Sequence, residues 1–176
     1  MDIDGFGDKI IDQLIDQKYV LSAVDLYSLS QSQLAGLDRL AEKSAANLLA
    51  ALDASKSTTL ARFIYSLGVR EVGQATAKNL ANTFGSLELL IENVVGTKDK
   101  NLSPIECLIE IDDIGPIVAE HICSYFNNPR NLDLIKQLQS AGISWHDISI
   151  NQGEALALSG QTWVLTGKLI SMTRDQ

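Results

Sequence analysis

A short pattern that recurs four times is the feature that most constrains how this chain can fold. In each copy an apolar residue precedes a small residue, and a helix-like run with Ala or Lys follows. The small residues lie 34, 32 and 42 positions apart and are Gly7, Ala41, Gly73 and Gly115. A repeat at such a period indicates one supersecondary unit used several times. The pattern therefore predicts an array of short helices joined by tight turns.

Each unit is interpreted as a helix-hairpin-helix, in which the turn opens a helix. The first N–H groups of a helix have no partner within it, so such a start can hold a phosphate. Glycine lets the backbone approach the phosphate without an intervening Cβ. Contacts of this kind follow the shape of a nucleic-acid backbone and do not read its base sequence.

Apolar periodicity predicts helices up to about residue 141. The predicted helices cover 8–17, 42–56, 59–67, 74–84, 116–126 and 131–141, with a further start at Ser103. Residues 95–103 are interpreted as a solvated loop inserted between the third and fourth units. Residues 143–145 are expected to be extended, 151–158 to form a linker, and 161–167 to form a strand that ends in a glycine turn.

Composition agrees with a globular domain but conflicts with nucleic-acid binding. The chain has 176 residues, 45% of them hydrophobic, and a formal net charge of −8. Phosphate contact favours basic surfaces, but backbone N–H donors bind phosphate without adding formal charge. Two cysteines without a C-x-x-C pattern indicate core thiols in a reducing interior. No apolar stretch reaches membrane-spanning length, and the acidic N-terminus does not resemble a signal peptide.

Charge is distributed unevenly among the four units. The local balance is +2 over residues 62–78, zero over 37–47 and −5 over 106–121. Residues 1–18 contain five Asp and two Lys. The second and third units are therefore expected to grip a duplex most strongly. The first should rank next, and the fourth should be chiefly structural.

Other candidate sites have weaker support in the sequence. His121 and His146 lack metal-ligand spacing, and Gly5-Phe6-Gly7 lacks the third glycine and the preceding strand of a dinucleotide site. The aromatic side chains expected in the core are Phe63, Tyr65, Phe84, Tyr125 and Phe126.

Three segments resemble the helix-hairpin-helix domain of bacterial NAD-dependent DNA ligases. They are residues 1–11, 42–48 and above all 67–80, while residues 159–169 resemble the first strand and turn of the BRCT domain of the same family. The resemblance implies an all-α tandem bundle of four hairpin units over residues 1–150. A linker at 151–158 and a truncated β/α start of a BRCT domain at 159–176 would follow.

The same resemblance implies non-sequence-specific binding of nicked duplex DNA during replication and repair. A bacterial cytoplasmic, nucleoid-associated monomer is expected. The candidate DNA-binding residues are Gly5, Phe6, Gly7, Lys9, Arg39, Leu40, Lys43, Arg70, Val72, Gly73, Lys78 and Gly115.

The catalytic part of the ligase family has no counterpart in this sequence. The family's adenylated lysine lies in a Lys-x-Asp-Gly motif, and no lysine here has that context. The NAD, magnesium and zinc of the parent enzyme are therefore not expected to bind here, and the segment alone should not catalyse strand joining. Two alternatives remain open: a tandem hairpin subunit of another repair or recombination complex, and an acidic helical protein-interaction module.

Overall fold

The computed structural model describes residues 3–95 and 103–148. The regular elements in these residues are helical, and one isolated parallel bridge joins Ser57 to Ser144. In chain order the helices are α1 (Asp8–Asp16), α2 (Gln31–Ala35), α3 (Glu42–Ser55), α4 (Leu60–Ser66), α5 (Gln74–Phe84), α6 (Leu87–Val95), α7 (Pro104–Ile109), α8 (Pro116–Phe126) and α9 (Pro129–Ser140). A 3-10 segment at Ala23–Ser28 lies between α1 and α2. The predicted all-α class is confirmed for this part of the chain.

Helix boundaries follow local signals in the sequence. Ser103 caps α7 and forms a capping box with Glu106, as its pattern predicts. Gly85 ends α5 in a left-handed conformation, with φ at 70°. The 3-10 segment, α2 and α6 were not predicted individually. The first two span only six and five residues, too few to establish a clear helical period.

The described chain buries its apolar side chains in two clusters. The first cluster comprises Leu14, Val20, Leu29, Leu34, Leu37, Ala45, Leu48 and Leu52. The second cluster is larger, extends from Leu60 to Ile143, and includes the fully buried Phe63 and Phe126. Tyr27, in the 3-10 segment, packs against both clusters. The range predicted as one bundle therefore contains two cores joined by a shared element.

A short segment after α9 connects back to the junction between the clusters. The N–H of Ser144 donates to the Lys56 carbonyl at 2.8 Å, and the N–H of Thr58 donates to the Ser144 carbonyl at 3.0 Å. The ring of Trp145 stacks on Phe63, with 4.3 Å between centroids. The extended segment predicted at 143–145 therefore closes over the connection between α3 and α4.

Individual sequence predictions fare differently in this fold. Phe84 and Tyr125 pack against the second cluster, but the Tyr65 side chain is 43% exposed, so its assignment to the core was wrong. The buried face of α4 is formed by Leu60, Phe63 and Ile64, and Tyr65 lies outside it. Residues 96–102 of the predicted loop, and the linker and strand after residue 150, lie outside the described residues. No helix in 3–95 or 103–148 has the length and apolarity that crossing a bilayer requires.

Candidate nucleic-acid interface

Four turns with the same backbone path precede α1, α3, α5 and α8. They are named here the first to fourth turns and span residues 3–7, 37–41, 69–73 and 111–115. In each turn, the last residue before the small residue donates its N–H to the carbonyl of the first residue of the turn, at 3.4, 3.2, 3.1 and 3.1 Å. The residue two places before the small residue has a positive φ in every turn: Gly5 (87°), Arg39 (62°), Glu71 (63°) and Asp113 (66°). The recurring sequence pattern therefore corresponds to a recurring conformation.

The helices that follow these turns begin without a side-chain cap. Gly7, Ala41, Gly73 and Gly115 occupy the N-cap positions of α1, α3, α5 and α8, and none offers a side-chain acceptor. The other helical segments of the described chain begin at polar residues, which are Ser22, Ser30, Thr59, Ser86, Ser103 and Asn128. At five of these starts the side-chain oxygen of the polar residue accepts from a backbone N–H of the helix. At the 3-10 segment the Asp25 carboxylate accepts instead from the N–H of Ser22. Among the α-helices of the described chain, the uncapped starts are thus confined to the four turns.

Each uncapped start leaves two or three backbone N–H groups without an acceptor. In α5 these groups belong to Gln74, Ala75 and Thr76, since the first N–H that bonds to the turn is that of Ala77, to the Gly73 carbonyl. In α8, proline at the first position removes one donor, and those of Ile117 and Val118 remain. Unpaired donors and the positive end of the helix dipole favour an anion at this place.

The N-cap glycines face open space. A Cβ added at Gly7, Gly73 or Gly115 would meet no heavy atom of the described chain within 4 Å. Their φ angles lie between −87° and −83°, a region that any residue adopts, and Ala41 shows the same conformation with a Cβ present. Neither packing nor backbone conformation requires glycine at these positions. What glycine provides is unobstructed access for an external group.

Four candidate cations lie close to these starts in sequence and are free. Lys9 and Lys43 are the second residues of α1 and α3, and Lys78 is the fifth residue of α5, while Arg39 lies at the tip of the second turn. All four are exposed, and none forms an ion pair with a described residue. The exposed Arg70 lies beside Glu71, with 4.0 Å between its Nε and Oε1 of the carboxylate. The cations predicted for binding are therefore available on the surface.

The apolar turn residues support the turns from within. Val72 is 6% exposed in the second cluster, while Leu40 and Phe6 are partly buried and pack against the first cluster. Their N–H groups close the turns, so they are not available to a phosphate. The structure thus separates the apolar anchor of each turn from the uncapped donors that follow.

The fourth turn differs from the others in its surface. Asp112 and Asp113 lie at its tip, and no cation is present between Glu106 and His121. The second residue of α8 is Ile117, which is 62% exposed, where α1 and α3 carry lysine. The fourth turn therefore shares the backbone geometry of the others but not their charge.

Polar contacts between neighbouring units were missed in the sequence. The Asn79 side-chain amide, on α5, donates to the Asp112 carbonyl of the fourth turn at 2.9 Å. On α8, Nδ1 of His121 lies 3.8 Å from Oε2 of Glu71 in the third turn. Asn79 and His121 each lie six positions after the N-cap of their helix, so an alignment of the four copies could have drawn attention to them.

Comparison with known proteins places the second cluster in a described class of motif. Residues 62–135 match the family model described as helix-hairpin-helix motif. This range contains the third and fourth turns and most of the second cluster.

Comparison over the full chain gives a consistent set of relatives. The chain is 49% identical over all 176 residues to a DNA ligase of Shewanella denitrificans, and 49% identical over the same length to one of Methylococcus capsulatus. It is 46% identical over 175 residues to a DNA ligase of Cellvibrio japonicus. The chain spans about a quarter of the length of these curated relatives. The chain is therefore similar over its whole length to one segment of these DNA ligases, and its own residues 62–135 match the helix-hairpin-helix motif.

Proposed function

We propose that the four turns are hairpin units that hold the sugar-phosphate backbone of duplex DNA without reading its sequence. The observation that carries this proposal is the confinement of uncapped helix starts to the four turns. The five other α-helices of the described chain begin at a residue whose side-chain oxygen accepts from a backbone N–H of the helix. A phosphate oxygen can accept from the same N–H groups that a capping side chain would occupy.

Binding should be strongest at the second and third turns. Arg39 and Lys43 lie at the second turn, and Arg70 and Lys78 at the third, whereas Asp112 and Asp113 repel phosphate at the fourth. The first turn, with Lys9, ranks between these groups. About four to six neutralised phosphates would give a logarithmic salt slope of roughly −4 to −5 on duplex DNA.

A titration of nicked duplex at two salt concentrations tests the proposal. Affinity should fall as salt rises and should not change when the base sequence around the nick is scrambled. An acidic protein-interaction module, the main alternative, would give no DNA signal at either concentration. Intact duplex of the same sequence shows whether the nick itself contributes to affinity.

A capping substitution separates binding from stability at a single turn. In Gly73→Asp, the new carboxylate would accept from the free N–H groups of α5 and exclude a phosphate. The melting temperature should stay equal or rise, because Asp is a favoured N-cap. Affinity for duplex should fall about 10- to 100-fold, the effect of losing one or two charge-assisted hydrogen bonds.

Two further variants control this experiment. Asn128→Asp adds the same charge at the start of α9, a helix that already has a side-chain cap, and should leave affinity nearly unchanged. Gly73→Asn caps the same N–H groups without a charge and should cause an intermediate loss. Equal affinities for wild type and Gly73→Asp would contradict the assignment of the third turn.

We further propose that the segment acts within an NAD-dependent DNA ligase, in replication and repair. It would hold the duplex around a nick while another part of the enzyme carries out the chemistry. The absence of a Lys-x-Asp-Gly motif supports the expectation that this segment alone does not join strands. Incubation with NAD, magnesium and nicked DNA should yield neither sealed product nor adenylated protein, and either product would contradict it.

A further inference from the structure

We infer that Gln13 and Asn79 are positioning residues. Each fixes the turn of the neighbouring hairpin unit and so sets the spacing between the uncapped helix starts of those two units. This inference rests on the proposed function, since the spacing matters only if two starts engage one duplex. It concerns residues whose side chains contact a turn and not the phosphate itself.

The two residues occupy equivalent places in the repeat. Gln13 follows the N-cap of α1 by six positions, and Asn79 follows the N-cap of α5 by six positions. Oε1 of Gln13 accepts from the N–H of Asp38 at 2.7 Å, and Nδ2 of Asn79 donates to the carbonyl of Asp112 at 2.9 Å. Asp38 and Asp112 both lie three residues before the N-cap of their turns. The same helix position thus holds the same turn position in both pairs.

The second pair also contains the reciprocal contact. While α5 holds the fourth turn through Asn79, α8 presents His121 to Glu71 of the third turn, at 3.8 Å. In the first pair, Gly5 of the first turn instead packs against α3, where an added Cβ would lie 2.7 Å from Cδ2 of Leu48. Each turn is therefore in contact with the helix of its neighbour, so the first and second units form one pair and the third and fourth another.

These side-chain contacts matter because the turns are conformationally demanding. Arg39 and Asp113 hold positive φ angles that non-glycine residues rarely adopt. A turn released from its neighbour can shift, and the two helix starts then lose a fixed separation. The first and second starts must meet phosphates of one duplex at the same time, so the loss should appear in duplex affinity more than in stability.

Two matched pairs of variants of the full chain test the inference. Gln13→Ala is compared with Gln17→Ala, and Asn79→Ala with Asn82→Ala. Gln17 and Asn82 are exposed residues of the same helical regions, and their side chains hold no turn. Gln13→Ala should weaken binding of nicked duplex by about two- to tenfold, the effect of one lost hydrogen bond. Asn79→Ala should have a smaller effect because its turn is acidic, and both controls should bind like wild type.

Coupling between substitutions distinguishes positioning from general destabilisation. Arg39→Ala should reduce the effect of Gln13→Ala, because both act through the second turn, whereas Arg70→Ala in the other pair should combine additively with it. Gln13→Glu keeps an acceptor for the Asp38 N–H and should retain more affinity than Gln13→Ala when both are measured at a salt concentration that screens the added carboxylate. If wild type binds duplex but Gln13→Ala and Gln17→Ala bind equally well, the inference is wrong and the proposed function stands. If wild type itself does not bind, the proposed function fails first.

Discussion

At the scale of single residues, three of the four turns place a charged side chain at a backbone position that favours glycine. A type II-like turn requires a positive φ at its third residue, where glycine is favoured. Only the first turn has glycine there. The others have Arg39, Glu71 and Asp113, each at roughly 1 kcal/mol of backbone strain. These three charged residues lie two positions before an uncapped helix start, where their charge can act on an anion bound there.

Asp113→Gly should raise affinity for duplex DNA while leaving the fold intact. The substitution removes a carboxylate beside the uncapped start of α8 and supplies the residue type that Gly5 provides in the first turn. Affinity should increase about two- to fivefold, as expected for one exposed charge interaction. The melting temperature should change little, because relief of strain offsets the greater freedom of glycine in the unfolded chain.

Asp147→Asn serves as the charge control for this variant. Asp147 lies near the C-terminal end of α5, where the Ile148 N–H donates to the Gly85 carbonyl, and not at the fourth turn. Fluorescence anisotropy with labelled nicked duplex measures both variants. An equal gain in the two would mean that net charge, and not its position at the fourth turn, controls affinity.

At the scale of elements, the 3-10 segment is the junction between the two clusters, and Asp25 closes its start. The carboxylate accepts from the N–H groups of Leu21 and Ser22, at 2.9 and 2.7 Å. These backbone hydrogen bonds lower the pKa of Asp25 from its ordinary value. Val24 and Tyr27, two and five residues after Ser22, pack against the second cluster. The cap therefore fixes the segment that spans both cores.

Asp25→Ala should destabilise the chain by about 1 kcal/mol at neutral pH, a usual value for a lost cap. Because folding lowers the pKa of Asp25, the stabilisation is complete above the unfolded carboxyl's pKa and is lost as pH falls through the folded value. Urea unfolding at pH 7 and near pH 3 measures the difference between wild type and variant. A difference of equal size at both pH values would contradict the role of the ionised carboxylate.

The sequence was sufficient for the long elements and the repeat, but not for contacts between units. Helices α3, α5 and α8 are each longer than ten residues, so their apolar residues show a full helical period, and their starts were predicted correctly. The free N–H groups also followed from Gly or Ala at the N-cap. The hydrogen bonds of Gln13 and Asn79 join residues 25 and 33 positions apart, and polar residues on an exposed helix face give no period that indicates such a partner.

At the scale of the whole molecule, the two clusters differ in size and should differ in autonomy. The second cluster contains 20 buried residues and the first contains eight. A segment of about 55 residues with a small core is marginal on its own. The helix-hairpin-helix match lies entirely within the range of the second cluster. The second cluster is therefore expected to support the folding of the first.

A fragment of residues 56–148 should fold alone, and a fragment of residues 1–55 should not. The larger fragment retains the contacts of Lys56, Thr58 and Ser144 and the stacking of Trp145 on Phe63. Circular dichroism should show a cooperative thermal transition for residues 56–148 and little helix for residues 1–55. If residues 56–148 lack a cooperative transition, the two clusters form a single folding unit.

The uncapped helix starts imply that this fold is not at its stability optimum in the absence of a ligand. Compared with a Ser, Thr or Asn N-cap, each glycine stabilises the helix start by a few tenths of a kcal/mol less and Ala41 by about 1 kcal/mol less. The four starts together lose on the order of 2 kcal/mol of folding stability. A bound polyanion would restore this energy to the folded state alone, so DNA would act on the protein as a thermal stabiliser through mass action. The segment is then most resistant to unfolding, and to proteolysis of the unfolded chain, while it is engaged with its duplex.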